Sequence, residues 1–552
     1  MSARQQVAVV TGGGGGIGAA IAEELGRGGW FVVTLDPLVT LDGSQRLPET
    51  EETTAGRIVA AGGSARASSA SVTDGEAVRG LFEELVDEHG GIDAVVNVAG
   101  ITRQSSYAEG TEEDWVALLG VHLGGYLNVL DAALPLMAAA EHGRVLGVTS
   151  GSGWRPADAG AYGCAKRAVA ALTWQLGRRA PPGVTVNAIS PIAATRMVAA
   201  AVERARQMGG ASRGGGMSLR SMPGPEDLGP LGAYLVSDGF GWCTGQVLFA
   251  GGSEVAIVDE PRLLEVVRGD GVASLAGMLE VVVPRAFASA ETKQVSGGGG
   301  NPRFGAIFDE PRSAEVATGH VRSCAVVTDR PVLAAAITAA LEARSVTCHR
   351  LEVTHGFDDA AGALRSLVEA AGPVDAVVFA PGDHQPTTTA TTGWERVLAE
   401  HHGIVEDLHA DAGWARAAAD YASGTARPVQ LVTLTDASTT GGRSRAQAAV
   451  QLARAAAGST EGRVTAFAAG IEASEKAAGP PAGALVAHLL GHAEASALAG
   501  AELVIGAGWL GLRSHPRPIG AITYGGPDVP DWLDATLREV VGADDDALRM
   551  ES

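Results

Sequence analysis

A tyrosine and a lysine one helical turn apart are the residues of this chain best suited to chemistry. Tyr162 and Lys166 lie in a sequence of 552 residues that contains only three lysines and six tyrosines. Side chains four residues apart share one face of a helix. An ammonium on that face can lower the pKa of the phenol and fit it to exchange a proton near neutral pH. Ser150 lies twelve residues upstream of the tyrosine, at the end of the strand-like run 144–149.

Each of these three residues also has a purely structural interpretation. Ser150 could cap a loop, Tyr162 could be a core aromatic, and Lys166 could lie on a solvated helix face. The joint spacing favours the chemical interpretation, because three independent structural roles would have to produce it by coincidence. The elements that position such a group must then be sought upstream in the chain.

A glycine-rich turn near the N-terminus is the first of these elements. The apolar run 7–10 predicts a buried strand, residues 11–18 hold the glycines, and a helix pattern follows. Glycines between a strand and a helix allow backbone N–H groups to approach a pyrophosphate, which the helix dipole also favours. Five successive glycines fit many patterns, so a plain turn stays an alternative.

A second predicted strand, residues 30–35, ends at Asp36. A carboxylate at this place can accept hydrogen bonds from the adenosine ribose hydroxyls and repels a 2′-phosphate. The sequence therefore favours NAD over NADP as cofactor. A solvent-facing loop acid is the alternative interpretation of Asp36.

The order of Ser150 and the Tyr162-x-x-x-Lys166 pair, behind a glycine-rich turn, resembles the short-chain dehydrogenase/reductase family over about residues 5–253. The resemblance implies that the serine and tyrosine hydroxyls hold a carbonyl or alcohol oxygen and that the tyrosine exchanges its proton. It also implies that the lysine binds the nicotinamide ribose and lowers the pKa of the tyrosine. The cofactor contacts that it implies are Gly12, Gly16, Ile17, Gly18, Asp36, Asn97, Ala99, Gly100, Tyr162, Lys166, Pro191 and Thr195.

Two features resemble one branch of that family. The stretch 120–124 puts His122 where many members carry an asparagine that completes a catalytic tetrad through an ordered water, and a long loop spans 37–52. Both features resemble the (3R)-hydroxyacyl-CoA dehydrogenase units of peroxisomal multifunctional enzyme type 2. The resemblance implies a catalytic role for His122 and a 3-hydroxyacyl-CoA thioester as substrate. A packed histidine that is hydrogen-bonded to a carbonyl is the alternative for His122.

The chain also contains an internal duplication. Residues 91–100 recur as 373–382, and the strand-like run 429–435 repeats the approach to Ser150. The second copy lacks the residues that carry the chemistry. A turn without glycine places Asp329 where a pyrophosphate would lie, and Phe379, Gln447 and Gln451 replace the asparagine, tyrosine and lysine.

These patterns predict an α/β protein with two tandem Rossmann-like, doubly wound parallel-sheet domains, the second of them degenerate and without catalytic function. We expect the fused copy to occupy the place of a neighbouring subunit, so that a homodimer forms a pseudo-tetramer. The predicted divisions are a catalytic NAD-binding domain at 1–253, a linker or arm with a glycine-rich hinge at 254–319, the degenerate domain at 320–520, and a C-terminal tail at 521–552.

Composition limits the classes of function. The net charge of −22 argues against binding to nucleic acid or to an anionic membrane, and 46% apolar residues allow large cores. Four unpaired cysteines suit a reducing cytoplasm, and no Cys/His cluster indicates a metal. The leading interpretation is an NAD-dependent oxidoreductase for a secondary alcohol or ketone. A dehydrogenase or ketoreductase for a steroid, terpenoid or polyketide is an alternative, and a Rossmann-based binding or scaffold protein is another.

Overall fold

The computed structural model describes residues 4–48, 52–155, 160–200, 222–269, 271–294, 320–382 and 390–542. The predicted glycine-rich hinge at 296–300 lies outside these residues. Two sheets dominate the architecture, one in each half of the chain, and helices cover both faces of each sheet. The predicted α/β fold class with two Rossmann-like sheets is confirmed.

The first sheet has nine strands in the order β17-β8-β7-β6-β5-β4-β1-β2-β3. Its central strands are apolar and buried along their whole length, as expected where helices cover both faces. The strands from β3 to β7 are parallel, and the last two are antiparallel. The strands are β1 Val7–Thr11, β2 Phe31–Leu35, β3 Ser64–Ser68, β4 Ala94–Asn97, β5 Gly143–Val148, β6 Val184–Pro191, β7 Val247–Gly251, β8 Glu254–Asp259 and β17 Arg517–Thr523.

The second sheet has eight strands in the order β11-β10-β12-β13-β14-β15-β16-β9. Five of its neighbouring pairs are parallel, and β16 and β9 close one edge in antiparallel pairs. It thus repeats the first sheet without a counterpart of β3. Its strands are β9 Leu263–Arg268, β10 Ser323–Val327, β11 Thr347–Leu351, β12 Ala376–Phe379, β13 Val429–Asp436, β14 Val464–Ile471, β15 Glu502–Gly506 and β16 Trp509–Arg513.

Helices alternate with these strands. In the first half they are α1 Gly16–Arg27, α2 Thr54–Ala60, α3 Gly75–His89, α4 Glu112–Leu119, α5 Gly125–Ala140, α6 Gly160–Gly177 and α7 Gly229–Leu235. Two further helices follow β9, namely α8 Val272–Val282 and α9 Ala288–Lys293. The second half and the tail contain α10 Pro331–Glu342, α11 Phe357–Ala371, α12 Gly393–His401, α13 Ile404–Thr425, α14 Thr440–Ser459, α15 Glu475–Gly491 and α16 Trp532–Val541.

The two halves exchange one strand each. After β8 the chain leaves the first sheet, and β9 pairs antiparallel with β16 of the second sheet, with Val267 opposite Leu510. After β16 the chain returns, and β17 pairs antiparallel with β8 of the first sheet, with Ile519 opposite Ile257. The strands that cross between halves therefore lie beside the predicted divisions at 253 and 520. Helices α8 and α9, within the predicted linker, pack on the core of the second half.

The halves also pack face to face through their helices. Helices α4, α5 and α6 of the first half contact α12, α13 and α14 of the second, and α6 and α14 run along each other. One hydrophobic core crosses this contact and includes Leu119 and Ala168 on one side and Trp414 and Ala449 on the other. The second half therefore contributes directly to the surroundings of α6, which carries the tyrosine–lysine pair.

The continuous helical stretch Glu112–Ala140, formed by α4, α5 and the turn between them, is long and apolar enough to cross a membrane by length and composition. Its most apolar window has a mean hydropathy of 1.4, and 61% of that window is buried inside the protein. An apolar helix that packs between the two halves must be largely buried. We therefore interpret this stretch as a core helix.

Candidate active site

The glycine-rich turn between β1 and α1 has the geometry of an anion cradle. Gly12 has a φ of +64°, and a Cβ added there would lie 2.9 Å from the Ala99 Cα atom. A Cβ on Gly18 would lie 2.4 Å from the Gly12 carbonyl oxygen, so both positions require glycine. Gly16, by contrast, has only the Thr195 Cγ2 atom within 4 Å of such a Cβ, at 3.8 Å. The turn thus opens at Gly16 towards Thr195, which fits a pyrophosphate at the N-terminus of α1.

Asp36 lies at the rim of this turn, partly exposed. Its Oδ2 atom accepts a hydrogen bond from the Gly14 backbone N–H at 3.0 Å, and its Oδ1 atom accepts one from Leu38 at 2.8 Å. These contacts fix the carboxylate at the end of β2, beside the cradle. A ribose that follows the pyrophosphate along this edge would meet a negative charge here.

The segment after β4 is tied to the same turn. The Thr11 hydroxyl donates to the Asn97 Oδ1 atom at 2.8 Å and accepts from the Ala99 backbone N–H at 3.1 Å. Asn97 is buried, so its amide holds the sheet edge rather than facing the solvent.

The remaining predicted cofactor contacts lie around the same cradle. Pro191 ends β6, and Ile17 packs on the core beneath α1. The Thr195 hydroxyl accepts a hydrogen bond from the Val198 backbone N–H at 3.2 Å. Thr195 therefore caps the helical residues that follow it, and its methyl group faces the glycine turn.

Ser150, Tyr162 and Lys166 are brought together by β5 and α6. The Ser150 hydroxyl and the Tyr162 phenol are hydrogen-bonded, and the Lys166 Nζ atom lies 5.7 Å from the centroid of the tyrosine ring. Lys166 donates to the Val148 carbonyl oxygen at 2.7 Å, and the Thr149 hydroxyl donates to the Lys166 carbonyl oxygen at 2.6 Å. The end of β5 is thereby locked to the first turns of α6, which fixes the geometry of the group.

The pKa of Tyr162 is raised, whereas the resemblance implied that Lys166 lowers it. Burial raises the pKa of this phenol, and the hydrogen bond from Ser150 and the positive charge of Arg155 only partly oppose the rise. Burial also lowers the pKa of Lys166 to about 7. The physical reason is common to both groups: each is enclosed by protein, and removal from water disfavours the charged form of either.

His122 lies on a single turn of π-helix, Gly120–Gly124, between α4 and α5. Its ring meets the ring of Tyr162 edge-on at 4.9 Å between centroids, and a Cβ added to Gly100 would lie 2.5 Å from its Cε1 atom. The Nε2 atom lies 2.8 Å from the Ile101 carbonyl oxygen and 3.3 Å from the Ile101 backbone nitrogen, whereas Nδ1 has no hydrogen-bond partner within the described ranges. Burial lowers the pKa of His122 to about 3, so the ring is neutral.

Two arginines near the site were not among the predicted contacts. Arg155 lies close enough to Tyr162 to affect its pKa, and the Nη2 atom of Arg196 lies 3.3 Å from the position of a Cβ on Gly15. Arg196 directly follows Thr195, so its place beside the glycine turn could have been inferred once the role of that threonine was considered. Nothing in the sequence near Arg155 indicates its place.

Among the residues that the structure describes, the turn after β10 in the second half is not an equivalent cradle. The Asp329 Oδ1 atom accepts a hydrogen bond from the Gly382 backbone N–H at 2.7 Å, which places a carboxylate where the first half has its open glycine turn. Gln447 and Gln451 lie on α14, the counterpart of α6, and neither an amide nor a pair of amides can replace a phenol and an ammonium in proton transfer.

The parallel sheet, the cradle after β1 and the serine–tyrosine–lysine group together define a Rossmann-like protein of the oxidoreductase type. Residues 6–206 match the family described as short chain dehydrogenase. The short-chain reductase protein NovJ of Streptomyces niveus is 33% identical over 258 residues, which cover 45% of this chain and 94% of NovJ. The chain belongs to the short chain dehydrogenase family.

Other similar proteins match a comparable share of the chain. The peroxisomal hydratase-dehydrogenase-epimerase of Neurospora crassa is 31% identical over 253 residues, which cover 46% of this chain but only 26% of that larger protein. A crystal structure of a short chain dehydrogenase from Mycobacterium avium is 32% identical, with a TM-score of 0.37, over 46% of this chain and 85% of that one.

Proposed function

We propose that the first half catalyses the NAD-dependent interconversion of a secondary alcohol and a ketone through Ser150, Tyr162 and Lys166. The observation that carries this proposal is the grouping of the three side chains at the carboxyl edge of the first sheet, with the tyrosine phenol bonded to the serine and the ammonium over its ring. In an open α/β sheet, this edge beside the glycine turn is where a dinucleotide binds.

The hydroxyls of Ser150 and Tyr162 would hold the oxygen of the substrate between them, and Tyr162 would take its proton as the alcohol is oxidised. When bound, the nicotinamide would supply the redox chemistry by accepting a hydride from the carbinol carbon. Lys166 uses one donor for the Val148 carbonyl, and the two remaining donors can meet ribose hydroxyls. Such acceptors favour the ammonium form, which then lowers the pKa of the phenol beside it.

His122 offers a route for the proton. A proton on Nε2 satisfies the shorter of its two contacts, 2.8 Å to the Ile101 carbonyl oxygen against 3.3 Å to the Ile101 backbone nitrogen, and leaves a lone pair on Nδ1. That nitrogen is able to accept a hydrogen bond from a water near Tyr162. His122 would then act beside the catalytic group as a holder of a relay water, with its neutral state secured by burial.

Asp36 supports NAD rather than NADP, because its fixed carboxylate would face the adenosine ribose and repel a 2′-phosphate. For the substrate we propose a 3-hydroxyacyl-CoA thioester, on the features at 120–124 and 37–52 that resemble multifunctional-enzyme units. The similarity to a short-chain reductase over 94% of its length supports a reductase role, and a steroid, terpenoid or polyketide stays the second candidate substrate.

The second half, in this proposal, is structural. It packs on α4, α5 and α6 and thereby takes the place that a neighbouring subunit would take, so two chains would form a pseudo-tetramer. A solution mass of two chains would support this assembly, and an active, isolated single chain would refute it.

Tyr162→Phe tests the proposed reaction, because it removes the proton-exchanging hydroxyl and keeps the ring. We expect turnover to fall by about 10²-fold to 10⁴-fold while NAD still binds. Turnover is followed as reduced nicotinamide with 3-hydroxyacyl-CoA thioesters and, in parallel, with bulky cyclic alcohols.

Tyr421→Phe is the matched control, since this phenol accepts a hydrogen bond from the Val374 backbone N–H within the second half. It should leave turnover unchanged. Wild-type protein that is as inert as Tyr162→Phe towards every alcohol, or full activity in Tyr162→Phe, would refute the proposal.

A further inference from the structure

One side chain of the second half reaches directly into the catalytic loop, which we define as residues 150–155. The Gln451 Nε2 atom donates to the Ser152 carbonyl oxygen at 3.0 Å and to the Arg155 carbonyl oxygen at 2.9 Å. Gln451 is 2% exposed, so water does not compete for these bonds. On the duplicated pattern it stands where the first half has Lys166. In the degenerate copy, the residue at the position equivalent to Lys166 thus holds the loop of the intact copy.

The catalytic loop also has contacts within itself and with α6. Within the loop, the Gly153 N–H donates to the Ser150 carbonyl at 2.9 Å, and the Arg155 N–H donates to that of Gly151 at 3.0 Å. On its other side the loop lies against α6: a Cβ on Gly153 would come within 2.9 Å of the Arg167 backbone nitrogen. The loop is therefore packed between α6 and the second half, with Ser150 at its first residue.

Two groups that act on the tyrosine belong to this loop. The Ser150 hydroxyl is bonded to the Tyr162 phenol, and the positive charge of Arg155 also acts on it. The carbonyls that Gln451 holds belong to residues two and five positions after Ser150. A loop that lost this anchor could move both groups away from the phenol without any change at the cofactor cradle.

We infer that Gln451 is a positioning residue, which holds the catalytic loop so that Ser150 meets Tyr162 and the substrate oxygen in reactive geometry. The second half is then a part of the active-site framework, although it carries no catalytic residue. This inference rests on the proposed function for its effect on turnover, but the holding of the loop is measurable without turnover.

The test compares Gln451→Met with Gln175→Met in the full chain. Gln175 is a matched control because it is also buried between α6 and α14, and its Nε2 atom donates to the Ser444 hydroxyl at 3.1 Å and the Thr440 carbonyl at 3.0 Å. Each amide leaves its Oε1 atom without a partner in the described structure. Methionine keeps the side-chain length and removes the donor, so the two variants lose similar bonds at one interface.

Hydrogen exchange of peptides that cover 150–155 reports the loop itself. We expect faster exchange there in Gln451→Met and wild-type exchange there in Gln175→Met. In steady-state kinetics, kcat should fall about 10-fold to 100-fold in Gln451→Met, with the KM for NAD within about twofold of wild type. The control should retain its kcat.

Unchanged exchange in Gln451→Met would overturn the inference, and so would an equal loss of kcat in both variants. Wild-type protein without turnover on any alcohol would refute the proposed function instead. In that case faster loop exchange confined to Gln451→Met would still support the holding of the loop by the second half.

Discussion

Removal of one charge between the halves should cost far more stability than removal of a charge on the surface. The Arg167 Nη2 atom lies 3.0 Å from the Glu502 Oε2 atom, with side chains 0% and 6% exposed. At an effective dielectric constant of about 20, two unit charges at this distance attract by about 5 kcal/mol. Burial lowers the pKa of Arg167 and raises that of Glu502, so desolvation opposes the charge on each partner.

Glu502→Gln therefore leaves a buried guanidinium without its counter-charge. We expect the free energy of unfolding to fall by about 3–5 kcal/mol, the usual cost of breaking a buried pair from one side. The measurement is urea unfolding, followed by tryptophan fluorescence and by circular dichroism to test for a single transition. Because one hydrophobic core crosses both halves, we expect the two signals to coincide.

Two further variants make the reasoning refutable. Arg167→Met combined with Glu502→Leu replaces the pair by apolar side chains and should recover most of the loss. Glu461→Gln removes an exposed partner of Arg463 and should cost less than about 1 kcal/mol. A loss below about 1 kcal/mol in Glu502→Gln, or a double variant no more stable than the single one, would show that this pair does not hold the halves as argued.

Two other predictions concern cofactor choice and pH. Asp36→Asn removes the charge fixed beside the glycine turn and should narrow the preference for NAD over NADP by about tenfold or more. Titration with both dinucleotides measures the ratio of the two dissociation constants. An unchanged ratio would contradict the role of Asp36. Burial lowers the pKa of His122 and His515 to about 3 and that of His401 to about 4, below their unfolded value of about 6.5. Their neutral burial favours folding fully above that value, and stability should fall as the pH drops below it, by about 2 kcal/mol per histidine at about pH 5. Urea midpoints that stay constant between about pH 7.5 and pH 5 would exclude this linkage.

The parts of the fold that follow from local pattern were predictable. The buried run before the glycines predicts β1, and the carboxyl ends of parallel strands meet at one edge, so Asp36 and Ser150 were expected to lie near that turn. The strand exchange was not predictable, because the local sequence of β9 and β17 does not show which sheet they join. The pairing of a strand from one half with a strand of the other depends on long-range packing, which the local periodicity of the sequence does not indicate.

The electrostatics of the site show the same limit. Spacing places Lys166 beside Tyr162, but the direction of each pKa shift depends on how completely both side chains are enclosed, which spacing does not show. The π-helical turn at His122, whose ring lies against Gly100, likewise corresponds to no helix signal in the sequence. Residue types therefore predicted which groups meet, and tertiary packing decided their protonation.

On the proposed function, the contacts of the second half give a reason for a duplicated chain to keep a copy that lacks the tyrosine–lysine pair. Its glycine turn was replaced by Asp329, bonded to the Gly382 N–H, so nothing there needs to stay open for a cofactor. Its helix α14 kept polar residues at the former tyrosine and lysine positions, and both now serve the first half: Gln447 accepts from Arg167 at 3.0 Å, and Gln451 holds the catalytic loop. A free dimer partner could drift away from these contacts on dilution, whereas a fused one stays at high effective concentration. On the proposed function, the second copy would serve the first by holding its geometry rather than by catalysis.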